Sequence, residues 1–243
     1  CGRKSVVPSI FLKKNSKKKI INIHIQNPKI SLKNFDFVII PDHDGISGSN
    51  VINTKGAIHY LTNKEINDSK DYLLNKIEKN KDVITLVLGG PTKDYNYSNN
   101  NMLDIFSKIN KRLKEYNLQL VIIPSNRTPK KTIQLAKEFF SEGCIVIDKV
   151  DKSAYLSSLA LAKYIIVTCD STSMISEAAL TGKPLYVAMI PPLRNDTRFE
   201  KFRNLFERLN IIKKLEDKLE TWNYEKLNEA DRIASEIKKK INQ

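Results

Sequence analysis

From Val83 onward, short runs of consecutive apolar residues alternate with longer segments whose apolar positions recur every three or four residues. The run "VITLVLGG" (83–90) is nearly continuous and ends in glycines, the pattern of a strand buried on both faces. Met102, Leu103, Ile105, Phe106, Ile109 and Leu113 follow at helix-face spacing. Next come a strand "LQLVIIP" (118–124), a helix opening at Thr128-Pro129 and stopping at Gly143, and a strand "CIVI" (144–147). The series ends with a helix over 154–162, a strand "YIIV" (164–167), a helix over 173–181 and a strand "LYVAM" (185–189). This alternation predicts an α/β fold with a parallel sheet covered on both faces.

The first 60 residues carry a shorter version of the same pattern. "KKIINIHIQNP" and "FDFVIIPDHD" read as two strands and "SVVPSIFLKK" as a helix. So few parallel strands make a poor domain, so this stretch reads as an α/β unit that lacks its opening strand and helix. The polar, Lys-rich segment 63–82 reads as a bridge, and after Pro191-Pro192 come helices near 197–209 and 225–241. The expected organisation is a partial N-terminal Rossmann-like unit with linker (1–80), a C-terminal Rossmann-like unit (81–215), and a final helix (216–243) packing back toward the first unit.

Charge complicates this picture without redirecting it. The 243 residues carry a net charge of +14, which invites a nucleic-acid reading. The Lys residues are spread among abundant Ile and Asn, however, and read first as solvated surface. The clusters "LKKNSKKK" (12–19) and "IKKK" (237–240) allow attraction to anionic lipid or a phosphorylated substrate as a second reading. No aromatics interleave with them, so no base-stacking surface and no specific nucleic-acid partner are expected. No stretch is apolar enough to span a membrane. The opening "CGRKSVVPSI" lacks both a secretory pattern and an initiator Met, and reads as a fragment. Cys1, Cys144 and Cys169 are odd in number and unpatterned, which favours a reducing compartment. The expected location is cytoplasmic, peripheral at the inner membrane face.

In open parallel sheets, ligands bind beyond the carboxyl ends of the strands. Four loops at that edge stand out: "GGPTK" (89–93), "PSNRTP" (124–129), "DKVDKSAY" (148–155) and "TCDSTS" (168–173). Gly89 and Gly90 allow close backbone approach to a ligand, or simply form a turn. Arg127 is available as a phosphate fork, or as a surface residue. Asp170, Ser171, Thr172 and Ser173 form an anion site at a helix N-terminus, or merely cap it. Glu177 is less easily dismissed. With Ser173 as N-cap, the capping-box position falls on Ser176, so the cap does not explain Glu177. A carboxylate one turn into such a helix is placed to bind a ribose diol.

These residues carry a resemblance. "VTCDSTSMISEAALTGKPLYV", "LGGPTKDYNYS", "PSNRTP", "PDHDGISGSNVINTKGAIH" and "CGRKSVVPSI" together resemble the bacterial and plant family named for elongated mitochondria, or mitochondrial fission. Its members are similar in turn to GT-B glycosyltransferases, notably the peptidoglycan lipid-linked N-acetylglucosaminyl transferase. The resemblance implies two Rossmann-type units facing across a cleft, the C-terminal one holding a nucleotide-sugar. It implies that Gly89 and Gly90 lie by the diphosphate, that Ser171, Thr172 and Ser173 contact phosphate, and that Glu177 holds the ribose. A glycine common in the transferases is replaced by Ser171.

The leading expectation is therefore transfer of a sugar from a nucleoside-diphosphate donor to an acceptor, with a lipid-linked one as the candidate, without cofactor or metal. Arg127 or Lys93 would meet the charge on the leaving diphosphate. His43 and Asp44 in "PDHDG" are the candidates for the base that deprotonates the acceptor. Their alternative is a turn before Gly45, and His24 and His59 look structural. The rival expectation is a non-catalytic, membrane-associated adaptor that keeps the scaffold, in line with the plant members' association with mitochondrial division.

Overall fold

The computed structural model of the chain describes residues 2–140, 143–216 and 218–242. In chain order its elements are α1 (Val6–Asn15), β1 (Ile23–Ile25), β2 (Phe37–Pro41), β3 (Val51–Thr54), α2 (Asn63–Asp68), α3 (Asp71–Leu74), β4 (Asp82–Leu88), α4 (Asn99–Tyr116) and β5 (Leu118–Pro124). There follow α5 (Lys130–Phe139), β6 (Ile145–Val146), α6 (Lys152–Leu161), β7 (Ala162–Thr168), α7 (Thr172–Ala179), β8 (Leu185–Ala188), α8 (Thr197–Arg208), β9 (Ile212–Lys214) and α9 (Glu229–Ile241). The chain divides into two compact units. One is built from the chain up to Ile58 and from Asn228 onward, the other from His59–Leu227.

The larger unit holds one sheet in the order β6-β5-β4-β7-β8-β9, with every neighbouring pair parallel. Counted from β4, this is the doubly wound order in which the chain starts in the middle and reverses direction between β4 and β7. Those two strands are the most deeply covered. Leu86 pairs with Ile122 on one side and Ile166 on the other, and all three are almost wholly buried. Helix α4 supplies Met102, Ile105, Phe106 and Ile109 to the same core. Burying side chains of this size stabilises the fold by about 1.5–3 kcal/mol each. The β9 strand escaped the sequence pattern because two of its three residues are lysines at a sheet edge.

Segment 63–82 is not a bridge. Thr62 and Glu65 form a reciprocal cap that starts α2, while Leu73 of α3 is fully buried beside α6. The Leu73 amide donates to Ser157 Oγ at 3.0 Å, and Ser157 Oγ donates to the Lys70 carbonyl at 2.8 Å. These contacts put the division between the units at Ile58/His59 rather than at 80/81.

The smaller unit is a three-stranded parallel sheet, β1-β2-β3, where the sequence pattern gave two strands. β3 is only four residues long and includes Asn and Thr, so its apolar signal is thin. Val6 and Ile10 of α1 pack with Phe35, Val38 and Ile40, and Ile233 and Ile237 of α9 pack with Ile39 and Ile52. Among the described residues no helix is long and apolar enough to cross a membrane.

Lys183, in the turn before β8, donates from Nζ to the carbonyls of Leu159 (2.8 Å) and Ala160 (2.5 Å) at the end of α6. Burial, with Lys70 and Lys226 nearby, pulls its amine down to about 8 from 10.5. Between those values the unfolded chain binds a proton that the folded chain does not, so this group makes stability rise with pH. The wild type should therefore gain stability relative to Lys183→Met from about pH 8 to about pH 10.5, as read from denaturant midpoints; a constant difference would refute it. Leu73→Ala should cost about 2–5 kcal/mol, an effect absent if segment 63–82 were a loose tether.

Candidate functional site

The carboxyl ends of β4, β5 and β7 bring three loops together around one side chain. Asp170 has a fully buried carboxylate. Its Oδ2 accepts from the Gly90 amide at 3.0 Å and from Arg127 at 2.9 Å, and its Oδ1 accepts from the Tyr97 hydroxyl at 2.6 Å. Around it, Thr168 Oγ1 accepts from the Gly89 amide at 2.8 Å and donates to the Tyr97 hydroxyl oxygen at 2.7 Å, the phenol's own hydrogen going to Asp170. Ser125 and Thr128 donate to the carbonyls of Gly89 and Leu88, at 3.0 and 2.9 Å. A buried carboxylate needs such donors, because desolvation without them would be severe.

The glycines are explained by this packing. A Cβ on Gly89 would lie 2.2 Å from Asp170 Oδ2, and one on Gly90 would lie 2.1 Å from the Arg127 carbonyl oxygen. On the side where a Cβ would stand, both glycines therefore meet protein atoms. Arg127 is likewise engaged. One of its nitrogens reaches Asp170 and another donates to the Gly90 carbonyl at 2.8 Å, so it ties the two loops together while its side chain remains 41% exposed. Lys93 is exposed and forms no ion pair among the described residues.

The N-cap of helix α7 lies two residues earlier than expected. Ser171 is its N-cap, with extended backbone (φ −129°, ψ 98°), and its side chain accepts from the Met174 amide at 3.4 Å. That geometry needs no glycine. Ser173 therefore sits in the first turn, exposed, with Thr172 half-buried beside it. The first amides of a helix have no partners within it, so this end presents donors and positive potential at the sheet edge.

Glu177 lies one turn further in and has a partner that the cap analysis did not supply. Its Oε2 accepts from the Tyr155 hydroxyl of α6 at 2.8 Å. Its Oε1 has no hydrogen-bond partner among the described residues. Burial raises the carboxyl above its ordinary value, and the Tyr155 hydroxyl and nearby His59 offset part of that rise. Glu177 lines a pocket of about 260 Å³ together with the apolar Ile123, Pro124 and Met174 and the polar Asn126, Asp151 and Lys152. Apolar and polar groups thus share its lining, and a small-molecule site uses the first for contact and the second for orientation.

His43 and Asp44 belong to the smaller unit, in a 3-10 turn after β2 that closes at Gly45 in the left-handed region (φ 66°). His43 is buried, with Nε2 3.8 Å from Asp44 Oδ1. Tyr97 and Tyr155 were missed by sequence reasoning. The one available signal for Tyr97 was an aromatic residue inside the polar stretch "TKDYNYSNN"; Tyr155 closes the edge loop "DKVDKSAY" and stands at the start of the helix's apolar residues.

The doubly wound parallel sheet defines an α/β protein, and the likeness to solved structures gives the fold as GT-B-like. MurG of Acinetobacter baumannii aligns with a TM-score of 0.51 at 10% identity, covering 88% of this chain and 58% of that one. A Listeria monocytogenes structure assigned as a UDP-N-acetylglucosamine 2-epimerase gives 0.50 at 17% identity, with coverages of 86% and 61%. The chain belongs to the mitochondrial fission ELM1 family, whose model matches residues 1–241. It is 27% identical to an uncharacterized protein of Rickettsia prowazekii, over 98% of this chain and 77% of that protein. It is 22% identical to the mitochondrial fission protein ELM1 of Arabidopsis thaliana, over 99% of this chain and 62% of that protein. The chain thus spans less than two thirds of the Arabidopsis protein and of both solved structures.

If the glycine pair is dictated by loop packing, Gly90→Ala should destabilise the protein by about 3 kcal/mol, since the clash is with backbone that cannot rotate away. A Gly90→Ala variant with the wild-type urea midpoint would show that the loops part freely.

Proposed function

We propose that the larger unit binds a nucleoside-diphosphate sugar at the carboxyl edge of its sheet, and that the protein transfers the sugar to an acceptor hydroxyl. The observation that carries this reading is Glu177: a half-buried carboxylate lining a pocket, one oxygen held by Tyr155 and the other without a partner among the described residues. In this reading Oε1 accepts from a ribose hydroxyl and the base lies against Ile123, Pro124 and Met174. The diphosphate then lies at the first amides of α7, near Ser171, Thr172 and Ser173, with Lys93 as the mobile cation and no resident cofactor. Support comes from the GT-B-like scaffold and from the Listeria neighbour, whose name refers to a UDP-sugar. His43, beside Asp44, is the proposed base for the acceptor, which we take to be lipid-linked at a membrane face.

A second reading has its own support. Gly90 and Arg127, which would otherwise recognise an anion, are engaged by the protein's own Asp170. Together with membership in a family named for mitochondrial fission, this favours a non-catalytic adaptor that keeps the scaffold.

Thermal-shift and calorimetric titration with nucleoside diphosphates separates the two. Under the first reading one of them raises the melting temperature, because it binds only the native state. Glu177→Ala should then weaken binding by at least about tenfold, the equivalent of 1.4 kcal/mol. It should also cost about 1–3 kcal/mol of stability by stranding the Tyr155 hydroxyl. Glu177→Gln keeps an acceptor for Tyr155, so it should restore the stability and retain part of the affinity. Nucleotide affinity indifferent to both changes would remove Glu177 from the site, and no binding by any nucleoside diphosphate would favour the adaptor.

A further inference from the structure

The segment that leads into α2 belongs to the larger unit and supplies part of the lining of the Glu177 pocket. Leu61 is buried in that unit's main core, and Thr62 is the N-cap of α2, fixed by its reciprocal bonds with Glu65. With the next two residues anchored, Tyr60 is held at a set position. It lines the pocket together with Glu177, yet its side chain packs against little of the protein and is 73% exposed.

Two neighbours fix where the ring stands. The ammonium of Lys152, which lines the same pocket, lies 5.0 Å from the centre of the Tyr60 ring. Lys152 also pairs with Glu65 Oε1 at 3.4 Å, so the ring is tied to the first turns of α2 and α6. Exposed contacts of this kind add little stability, and their effect here is on orientation. His59, the residue before Tyr60, lies near Glu177, and its Nδ1 is buried with no hydrogen-bond partner among the described residues. Buried polar atoms that the protein leaves in this state take a partner from water or from a ligand.

A ligand for this corner must offer a flat face to an aromatic ring, apolar contact to Pro124 and Met174, and a hydroxyl to Glu177. A nucleoside has all three, in its base and its ribose. A sugar phosphate has hydroxyls but no flat face, and pyrophosphate has neither. We propose that Tyr60 is the residue on which the base of the ligand stacks, so that the pocket selects a nucleoside over a bare sugar phosphate or diphosphate. This rests on the nucleotide reading of Glu177 and adds the contact that recognises the base. Stacking accepts any base, because each has a π-face, so Tyr60 recognises the base as a class.

The test is calorimetric titration of the full chain with uridine, adenosine and guanosine diphosphates, and with ribose 5-phosphate and pyrophosphate. At least one nucleoside diphosphate should bind more tightly than either of the last two. Tyr60→Ala should weaken that binding by about tenfold, while Tyr60→Phe, which keeps the ring, should retain it. In proton NMR, the base protons of the bound nucleotide should move upfield with the wild type and with Tyr60→Phe, and not with Tyr60→Ala. The ring is exposed, so melts of both variants without ligand should match the wild type, which separates a lost contact from lost folding. Unchanged nucleotide affinity in Tyr60→Ala would overturn the stacking role and leave the Glu177 reading standing. Equal losses in Tyr60→Ala and Tyr60→Phe would also overturn it, since the hydroxyl would then be the contact. Ribose 5-phosphate or pyrophosphate binding as tightly as the nucleotides would refute selection of a base. Failure of every nucleoside diphosphate to bind would remove the nucleotide reading itself, and this proposal with it.

Discussion

The buried carboxylate of Asp170 is the constraint on which the carboxyl edge of the larger unit's sheet depends. Adjacent parallel strands that send their connections to opposite faces leave a gap at their carboxyl ends, where backbone groups have lost their ladder partners. Between β4 and β7 that gap is closed by one side chain accepting from an amide, a phenol and a guanidinium. Each donor comes from a different part of the fold: Gly90 directly after β4, Tyr97 just before α4, and Arg127 after β5. A residue bonded in this way cannot move without stranding the others, so the three loops behave as one piece. The glycines follow from it, because only a residue without Cβ leaves room for the carboxylate and for the Arg127 carbonyl.

This arrangement divides labour at the edge. The groups around Asp170 answer one another, the Gly90 amide and one Arg127 nitrogen both donating to its Oδ2. The first turn of α7 lies next to them but is not consumed by them, since its cap uses only the Ser171 side chain. Glu177 is set back by one turn and held by a hydroxyl from α6, so its orientation is determined by helix packing and not by the loop. Rigid elements position polar groups more accurately than loops do. The pocket walls likewise come from strand ends and a helix, Ile123 and Pro124 from β5 and Met174 from α7.

The two units differ in how far they account for their own apolar surface. In the larger one, helices cover both sheet faces and the central strands are fully buried. The smaller one covers its three strands with α1 and α9 but leaves Val7, Phe11 and Leu12 in solvent among lysines.

Much of this protein was written locally. Continuous apolar runs such as "VITLVLGG" and "LQLVIIP" can be satisfied only between two covering layers, so they mark buried parallel strands before any contact is known. The order of runs and helix-spaced segments places the polar loops at one edge for the same reason. Short or polar edge elements were lost: β3 and β9 carry too few apolar residues to signal themselves, and α3 contributes a single fully buried leucine from a lysine-rich stretch. Glu177 stood out because local cap chemistry left it unexplained. Its holder, Tyr155, is 22 residues away on another helix. The same holds for Arg127 and Asp170, 43 residues apart and read separately as a ligand fork and a cap. Periodicity and capping are properties of neighbours in the chain, and so the sequence alone determined strands, helices and the edge where loops gather. Which polar groups answer one another across that edge is decided by distance in space, and only the tertiary structure settled that.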